Sequence, residues 1–347
     1  MAVDAALLST LYPLEKLAPD RREALAQEAR LLELTQETMI FREGELDSTT
    51  YWLLQGEVDG RYENGREKRI SSASLQGRYA IGDLQPRRFS AVVVSPTAQL
   101  LACDRRFTEK LIALDELIRN GKVPLWLKQG GPAPWLMRML KNRAFNRLPS
   151  THLERLITAL EEVRIPAGTA VVREGESGDA FYVIREGVAT VSKEEEGREL
   201  PLAQLRAGDS FGEDALLTGA PRNATVSMRD AGLLMRLPKG SFDKLLRSAA
   251  AEWVTPDKAV AMLKQGAVLL DVRSQEDFAK GSIAGARNLP AEFLRANLDR
   301  LPRDRRYLVF CNGADRSGSA VFQLAKHGID AHAVFGGYAA LLTATQR

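Results

Sequence analysis

An internal repeat constrains this chain more than any other feature of its sequence. Phe41-Arg42-Glu43-Gly44-Glu45, followed by Tyr51 to Val58, aligns without a gap onto Val172-Arg173-Glu174-Gly175-Glu176, followed by Tyr182 to Ala189. Self-similarity of this kind marks one structural plan used twice. Within the first copy, short apolar runs are broken by Gly44, Gly56, Gly60, Gly65, Gly77 and Gly82. Turns at such intervals predict an antiparallel β-roll. A helical pattern precedes each copy, predicting helices over residues 19–34 and 153–163. A further helix is predicted from Phe107 to Arg119, where Phe107, Leu111, Leu114 and Ile118 recur at helical spacing. Gly130-Gly131-Pro132-Ala133-Pro134 breaks the chain between the copies, with Trp126 and Trp135 on either side as inter-domain core.

The second copy carries the more informative stretch, Phe211-Gly212-Glu213-Asp214-Ala215-Leu216, which a turn over Thr218 to Pro221 joins to Arg222-Asn223-Ala224-Thr225-Val226. A short helix opening near Gly212 would aim free backbone N–H groups at an anion. Gly212, lacking Cβ, lets a ligand approach the main chain. Arg222 supplies a permanent charge and a planar fork of donors. Glu213 is suited to accept hydrogen bonds from a sugar hydroxyl. Together these residues predict a pocket for a sugar phosphate.

The stretch resembles the phosphate-binding cassette of cyclic-nucleotide-binding domains, F-G-E-x-A-L followed by P-R-x-A-T. The resemblance implies Glu213 on the ribose 2′-hydroxyl and Arg222 on the cyclic phosphate, with Gly212, Ala215 and Asn223 lining the site. It also implies a cyclic nucleotide as effector, cAMP ahead of cGMP. Asp214 departs from the pattern, which usually has an aliphatic residue there. Asn223 departs as well, standing where Ala, Ser or Thr is usual, and leaves the base preference open.

In the first copy, Pro86-Arg87-Arg88-Phe89-Ser90-Ala91-Val92 echoes Pro221 to Val226, but the segment before it is shorter by roughly three or four residues and holds no glutamate. It reads as a degenerate copy that packs, dimerises or transmits, and it is expected to be empty.

After Val226 the second copy ends in a short helix, Ser241 to Ser248, and another domain starts near Trp253. Little chain remains for the helix that closes over the base in this family, so another domain or a second protomer is expected to cap the ligand. Here the hydrophobic pattern changes. Ala267 to Leu270 and Tyr307 to Phe310 are continuous apolar runs, as in parallel strands buried on both faces. A helical pattern runs from Gly318 to Lys326 and stops at Gly328, which gives α/β organisation.

Cys311 ends the second of those runs, and the loop Asn312-Gly313-Ala314-Asp315-Arg316 leads into a helix near Ser317. Ligand chemistry in α/β proteins commonly sits at such a strand end. Loop amides, a helix dipole and Arg316 would all favour a thiolate, and such settings bring a cysteine from about 8.5 to roughly 3.5–7.5. Cys103 has no basic loop around it and reads as a buried core thiol.

This region resembles the rhodanese sulfurtransferases. The matching motifs are Leu270-Asp271-Val272-Arg273, Asp277-Phe278, Gly281 to Asn288, Cys311-x4-Arg316-Ser317 and Gly336-Gly337-Tyr338. The resemblance implies a persulfide formed on Cys311 and cradled by residues 312 to 317, Arg316 included, then passed to a thiol or cyanide. Ser282 replaces a histidine common in the family. Asp315 places an anion in the loop, which favours a neutral or protein-borne persulfide donor over thiosulfate.

A length of 347 residues, with 45% hydrophobic and 27% charged, fits two or three ordinary globular domains. The expected boundaries are 1–130 for the degenerate copy, 131–250 for the intact one and 251–347 for the rhodanese-like domain. In fold class these are two jelly-roll-like antiparallel β-rolls with flanking helices, then an α/β domain on a parallel sheet. A net charge of +3 demands neither nucleic acid nor an anionic membrane. The start Met1-Ala2-Val3-Asp4 has no basic signal region and no apolar run reaches spanning length, so a cytoplasmic protein is expected. Two cysteines provide neither a disulfide framework nor a cysteine zinc site, and His152, His327 and His332 are scattered, so no metal is expected. DNA reading is not expected either, because α/β sequence stands where the bacterial cAMP receptors carry a helix-turn-helix.

The expected function is sulfur transfer under cyclic-nucleotide control, with a sulfur donor and a thiol acceptor as partners and a homodimer as one assembly left open. The alternative is a nucleotide-sensing adaptor whose rhodanese fold docks a partner without catalysis.

Overall fold

The computed structural model describes residues 3–130, 134–146, 148–195, 197–219, 221–247, 252–313 and 315–346. They form two compact units, one ending at Lys122 and the other beginning at Val123.

The first unit is a roll of two antiparallel four-stranded sheets. One runs in the order Arg30–Thr35, Thr97–Asp104, Thr49–Gln55, Ala80–Ile81, and the other Met39–Phe41, Ser90–Val93, Glu57–Arg61, Glu67–Ser71. Their inner faces close on Phe41, Leu53, Val58, Ile81, Val93 and Leu100. The second roll repeats this plan. One sheet holds Ala170–Val172, Thr225–Met228, Ala189–Glu195 and Arg198–Leu205, and the other Ser210–Phe211, Ala180–Glu186, Gly232–Pro238 and Glu161–Ile165. The repeat extends to individual hydrogen bonds. Gly44 N donates to Arg87 O at 2.9 Å and Gly175 N to Arg222 O at 2.9 Å, while Glu43 N meets Ser90 Oγ and Glu174 N meets Thr225 Oγ1.

Two expected helices are shorter than their patterns suggest. The first spans Pro19–Ala26, and Arg30–Thr35 is a strand paired with Thr97–Asp104. The second spans Leu153–Ala159, and Glu161–Ile165 pairs with Gly232–Pro238. Runs such as Leu31-Leu32-Glu33-Leu34 satisfy either period, and an unpaired sheet edge beside them decides in favour of the strand. The helix Arg105–Arg119 covers the expected span and is capped by Asp104, whose carboxylate accepts from Phe107 N. Trp126 and Trp135 meet within the second unit, their ring centroids 5.8 Å apart and their planes tilted by 44°.

The second unit continues through the helical turns Lys239–Phe242 and Asp243–Arg247 into a five-stranded parallel sheet. Its order is Trp253–Val254, Asp330–Val334, Arg306–Phe310, Val268–Asp271, Arg287–Asn288. Helices cover both faces, so Tyr307, Leu308, Val309 and Phe310 are all buried, as a continuous apolar strand requires. The helix Asp315–Lys326 leaves the sheet and packs on the second roll. Phe145, Phe181, Phe242 and Phe322 meet in series there, at 5.8, 5.5 and 6.1 Å between ring centroids, and all four are buried. This aromatic row makes the roll and the α/β domain one packed body.

Candidate nucleotide and sulfur sites

Gly212 ends the strand Ser210–Phe211 and caps the six-residue helix Glu213–Thr218 with φ +91°. A Cβ there would lie 2.8 Å from Arg222 Nη1 and 3.1 Å from Ala180 O, so both the backbone angle and the arginine require glycine. Arg222 is 5% exposed. Its Nη1 donates to Gly212 O at 2.6 Å, and its Nη2 donates to Ala180 O at 2.9 Å and Asp179 Oδ1 at 3.1 Å. Burial pushes the Asp179 carboxyl up, but the hydrogen bond from Arg236 and the charges of Arg236 and Arg222 outweigh it and leave it below the usual carboxylate range. The arginine thus clamps the start of the cassette helix to the strand that holds Ala180.

Glu213 is 4% exposed. Its Oε1 accepts from Lys326 Nζ, while its Oε2 is buried without a hydrogen bond among the described residues. Asp214 and Asn223, the two departures from the cassette pattern, are bonded to each other, Asn223 Nδ2 donating to Asp214 Oδ2 at 3.0 Å. The other Asp214 oxygen accepts from Gln323 Nε2 at 2.8 Å. Ala215 is buried against Gly178, where an added Cβ would sit 2.8 Å from the Ala215 methyl.

These residues border a cavity of about 330 Å³, within the range of small-ligand sites. Val172, Val191, Ala203, Leu205 and Ala224 form its apolar wall, and Gly212, Glu213, Arg222 and Asn223 its polar one. The α/β domain contributes Leu298, Gln323, Lys326 and His327. The C-terminal domain thus borders the same cavity as the cassette.

The first roll keeps the arginine clamp but not the cassette helix or its glutamate. Arg87 is 1% exposed and donates to Gly82 O, to Thr49 O at 2.6 Å and to both carboxylate oxygens of Asp47. Gly82 and Arg87 are five positions apart (87 − 82) where Gly212 and Arg222 are ten (222 − 212), so the loop lacks five residues rather than three or four. No helix forms in it. Phe41 and Phe89 stand where the second roll has Val172 and Ala224. Their rings pack at 5.7 Å, and the guanidinium of Arg87 lies 4.1 Å from the Phe41 centroid. A cavity of about 320 Å³ remains beside this loop, bordered by Gly60, Tyr62, Ile70, Tyr79, Gly82 and Phe89, but neither Arg87 nor a glutamate lines it.

Cys311 follows the strand Arg306–Phe310 and is 1% exposed. Its Sγ–H points at Gly313 O, and Ser317 Oγ lies 3.6 Å from the sulfur. Tyr338 N donates to Cys311 O at 2.8 Å. Gly337 brings this about at φ +57°, where any Cβ would collide with the Cys311 carbonyl. Asn312 and Gly313 are exposed, Asp315 opens the following helix, Arg316 is exposed in its first turn, and Ser317 is buried. Ala314 lies outside the described residues.

A buried polar cluster supports the loop. Arg273 is paired with Asp271 at 2.6 Å, donates to Gly281 O at 2.8 Å and stacks 4.0 Å from the Tyr338 centroid. The Asp271 hydrogen bond is the largest influence on Arg273, ahead of the burial that opposes it, and raises it further above its ordinary value. Ser282, the residue in the histidine position, donates to Asp271 Oδ2 at 2.8 Å. Asn312 is held between Arg273 Nη1 at 3.4 Å and Asp277 Oδ2 at 3.1 Å. Burial pushes the other thiol, Cys103, up to about 12.

One helix joins the two sites. Asp315–Lys326 starts at the cysteine loop and ends at Glu213, about 18 Å away for twelve residues. Along it, Ser319 Oγ donates to Leu217 O at 3.0 Å, Gln323 holds Asp214, and Lys326 Nζ also reaches Ser210 O at 2.9 Å. Sequence reasoning missed Lys326 and Gln323, which stand 113 and 109 residues from their partners. It also missed Asp179. The exchange of Val172 and Ala224 for Phe41 and Phe89 was visible as a size difference at matched repeat positions.

Among the described residues no cluster of His, Cys, Asp and Glu is arranged to hold a metal ion, and no helix is long and apolar enough to cross a membrane. A cAMP-dependent protein kinase regulatory subunit from Debaryomyces hansenii is 31% identical over 212 residues, 60% of this chain and 43% of that protein. Another from Yarrowia lipolytica is 42% identical over 99 residues, 28% of this chain and 26% of that protein. The chain spans less than half the length of either curated relative. The regulatory domain of Toxoplasma gondii PKA, solved with cAMP, aligns over 75% of this chain and 95% of its own at 21% identity, with a TM-score of 0.32 that is too low to bear on the fold. Family models match both halves of the second unit, so residues 162–249 are a cyclic nucleotide-binding domain and residues 255–344 a rhodanese-like domain.

Proposed function

We propose that this chain is a sulfurtransferase whose activity answers to a cyclic nucleotide, cAMP ahead of cGMP. In this reading Arg222 holds the cyclic phosphate, Glu213 accepts from the ribose 2′-hydroxyl, and the apolar wall with Asn223 and Ala215 receives the rest. Cys311 is the sulfur carrier. Its thiolate attacks the outer sulfur of a persulfide donor, forming Cys311–S–SH and releasing the donor as a thiol. An acceptor thiolate then takes the outer sulfur, and the Cys311 thiolate leaves. Arg316 at the loop and the helix N-terminus favour the anionic sulfur in both steps. The donor is neutral or protein-borne, given Asp315, and the reducing compartment that keeps Cys311 a thiol is the cytoplasm. Homodimerisation through the first roll is compatible with this role.

The observation that carries the proposal is the helix Asp315–Lys326, one end in the cysteine loop and the other bonded to Glu213. A ligand shifts such an arrangement only by its differential affinity for two states, typically about 1–3 kcal/mol or 5–150-fold. The test is sulfur transfer from a persulfide donor to cyanide, with and without saturating cAMP. A several-fold change that Arg222→Ala abolishes, with all transfer lost in Cys311→Ser, supports the proposal. Transfer that survives Cys311→Ser, or identical rates with bound cAMP, overturns it.

A second reading, a nucleotide-sensing adaptor with a silent rhodanese fold, is favoured by the burial of Cys311 and its S–H directed at Gly313 O. Alkylation followed against pH by mass spectrometry separates the two. Cys311 labelling at neutral pH well ahead of Cys103 supports the enzyme, and equal protection of both thiols supports the adaptor.

A further inference from the structure

The nucleotide cavity is bordered by a carboxylate whose two oxygens have different surroundings. Glu213 borders the cavity; its Oε1 is held by Lys326 Nζ, which is also anchored on Ser210 O at 2.9 Å, while its Oε2 is buried and has no hydrogen-bond partner among the described residues. A buried carboxylate needs a compensating charge, and removing that charge is costly. An oxygen already desolvated and left without a donor is ready to accept one from a ligand. Lys326 belongs to the rhodanese-like domain, and Gln323 and His327 of the same helix border the cavity beside it.

We propose that Lys326 is a positioning residue for nucleotide recognition: by holding Oε1 of Glu213 it aims Oε2 at the ribose hydroxyl, so the C-terminal domain makes the site select ribonucleotides. This rests on the reading of the cavity given above. Because Oε2 is free, a hydroxyl binds without displacing Lys326, and the lysine acts as part of a lid rather than as a blocking group. The ligand and the C-terminal domain then hold opposite oxygens of one carboxylate, and each fixes it for the other.

The experiment is titration of the full chain with cAMP and with 2′-deoxy-cAMP, in wild type, Lys326→Met and Lys326→Arg. One hydrogen bond to a charged group corresponds to a preference of about 10- to 150-fold for cAMP in wild type. Lys326→Met should lose most of that preference through weaker cAMP binding, with 2′-deoxy-cAMP changed by no more than about 2- to 3-fold, while Lys326→Arg restores it. The ratio of two ligands on one protein cancels any loss of folded material, and the arginine variant retains the charge. An unchanged ratio in Lys326→Met, equal weakening of both ligands, or tighter cAMP binding would overturn the proposal. Tighter binding would identify Lys326 as a competitor for the site. A wild type that binds both ligands equally would overturn it while leaving nucleotide binding intact, and one that binds neither would remove the reading beneath it as well.

Discussion

Replacing Arg222 by lysine separates two roles that the structure gives this side chain. A lysine keeps the positive charge but not the planar fork. The guanidinium now bonds Gly212 O at 2.6 Å, Ala180 O at 2.9 Å and Asp179 Oδ1 at 3.1 Å. Asp179 is largely exposed, so that bond adds little to stability. The carbonyls of Gly212 and Ala180 matter more, because an acceptor left unsatisfied in the interior costs about 1–3 kcal/mol. Lysine can reach one of them and strands the other, so Arg222→Lys should lose about 1–3 kcal/mol of stability without any ligand present. Losing the charged partner of a desolvated phosphate costs about 2–5 kcal/mol, or roughly 30- to 5,000-fold, and this is the expected weakening of cAMP by Arg222→Ala. Lysine should fall between wild type and alanine in both affinity and stability, since alanine leaves both carbonyls without the arginine. Calorimetric titration with cAMP and urea denaturation of the three proteins measure both quantities. Wild-type affinity in Arg222→Lys would refute the role at the phosphate, and wild-type stability would refute the clamp on the cassette.

Two further expectations rest on other parts of the chain. The first roll should stay empty, giving one cAMP per chain, and Phe41→Ala should cost about 3–5 kcal/mol because that ring fills the core beside Arg87; calorimetric stoichiometry and the urea midpoint check this, and a wild-type value of two ligands per chain would contradict it. His332 is pulled down by burial, but its ion-pair contacts with Asp330 at 3.4 Å and Glu252 at 3.0 Å prevail and raise it above its ordinary value. Its contribution to stability is therefore complete below about pH 6.5 and lost as the pH climbs through the raised value. The urea midpoint should fall across that interval in wild type but not in His332→Gln, and equal slopes would exclude the pair as the cause.

The repeat made both rolls legible because their shared turns and alternation are local properties. The cassette was legible because Gly212, Glu213 and Arg222 are close in sequence, and the parallel sheet because its strands are apolar on both faces. Helix ends at residues 26 and 159 were not legible, since the leucine-rich segments after them suit a strand as well as a helix and only the partner strand decides. Asp179 was not either. Its role depends on where Arg222 reaches after the roll closes, and a single carboxylate in a polar loop gives no sign of that.

Asp214 and Asn223 were anomalies against the cassette pattern, an extra charge and an amide beside an anion pocket. Their partners give them a different meaning. Asn223 Nδ2 is bound by Asp214, and Asp214 in turn by Gln323 of the rhodanese-like domain, so both departures lie on the line of contact between domains. The aliphatic residue usual at position 214 could not accept the Gln323 amide, which would leave a polar group at the interface without that partner. The same helix turns Ser319 to Leu217 O, Phe322 to Phe242 and Lys326 to Glu213. Four of its positions along about 18 Å therefore touch the cassette or the roll behind it, and its first turn carries Ser317, whose Oγ lies 3.6 Å from the Cys311 sulfur. A helix resists bending over three turns far more than a packed interface resists sliding, since its own hydrogen bonds hold it. Movement of the cassette helix on ligand binding would thus reach the cysteine loop as a displacement of the whole rod, without any chain of side-chain rearrangements in between.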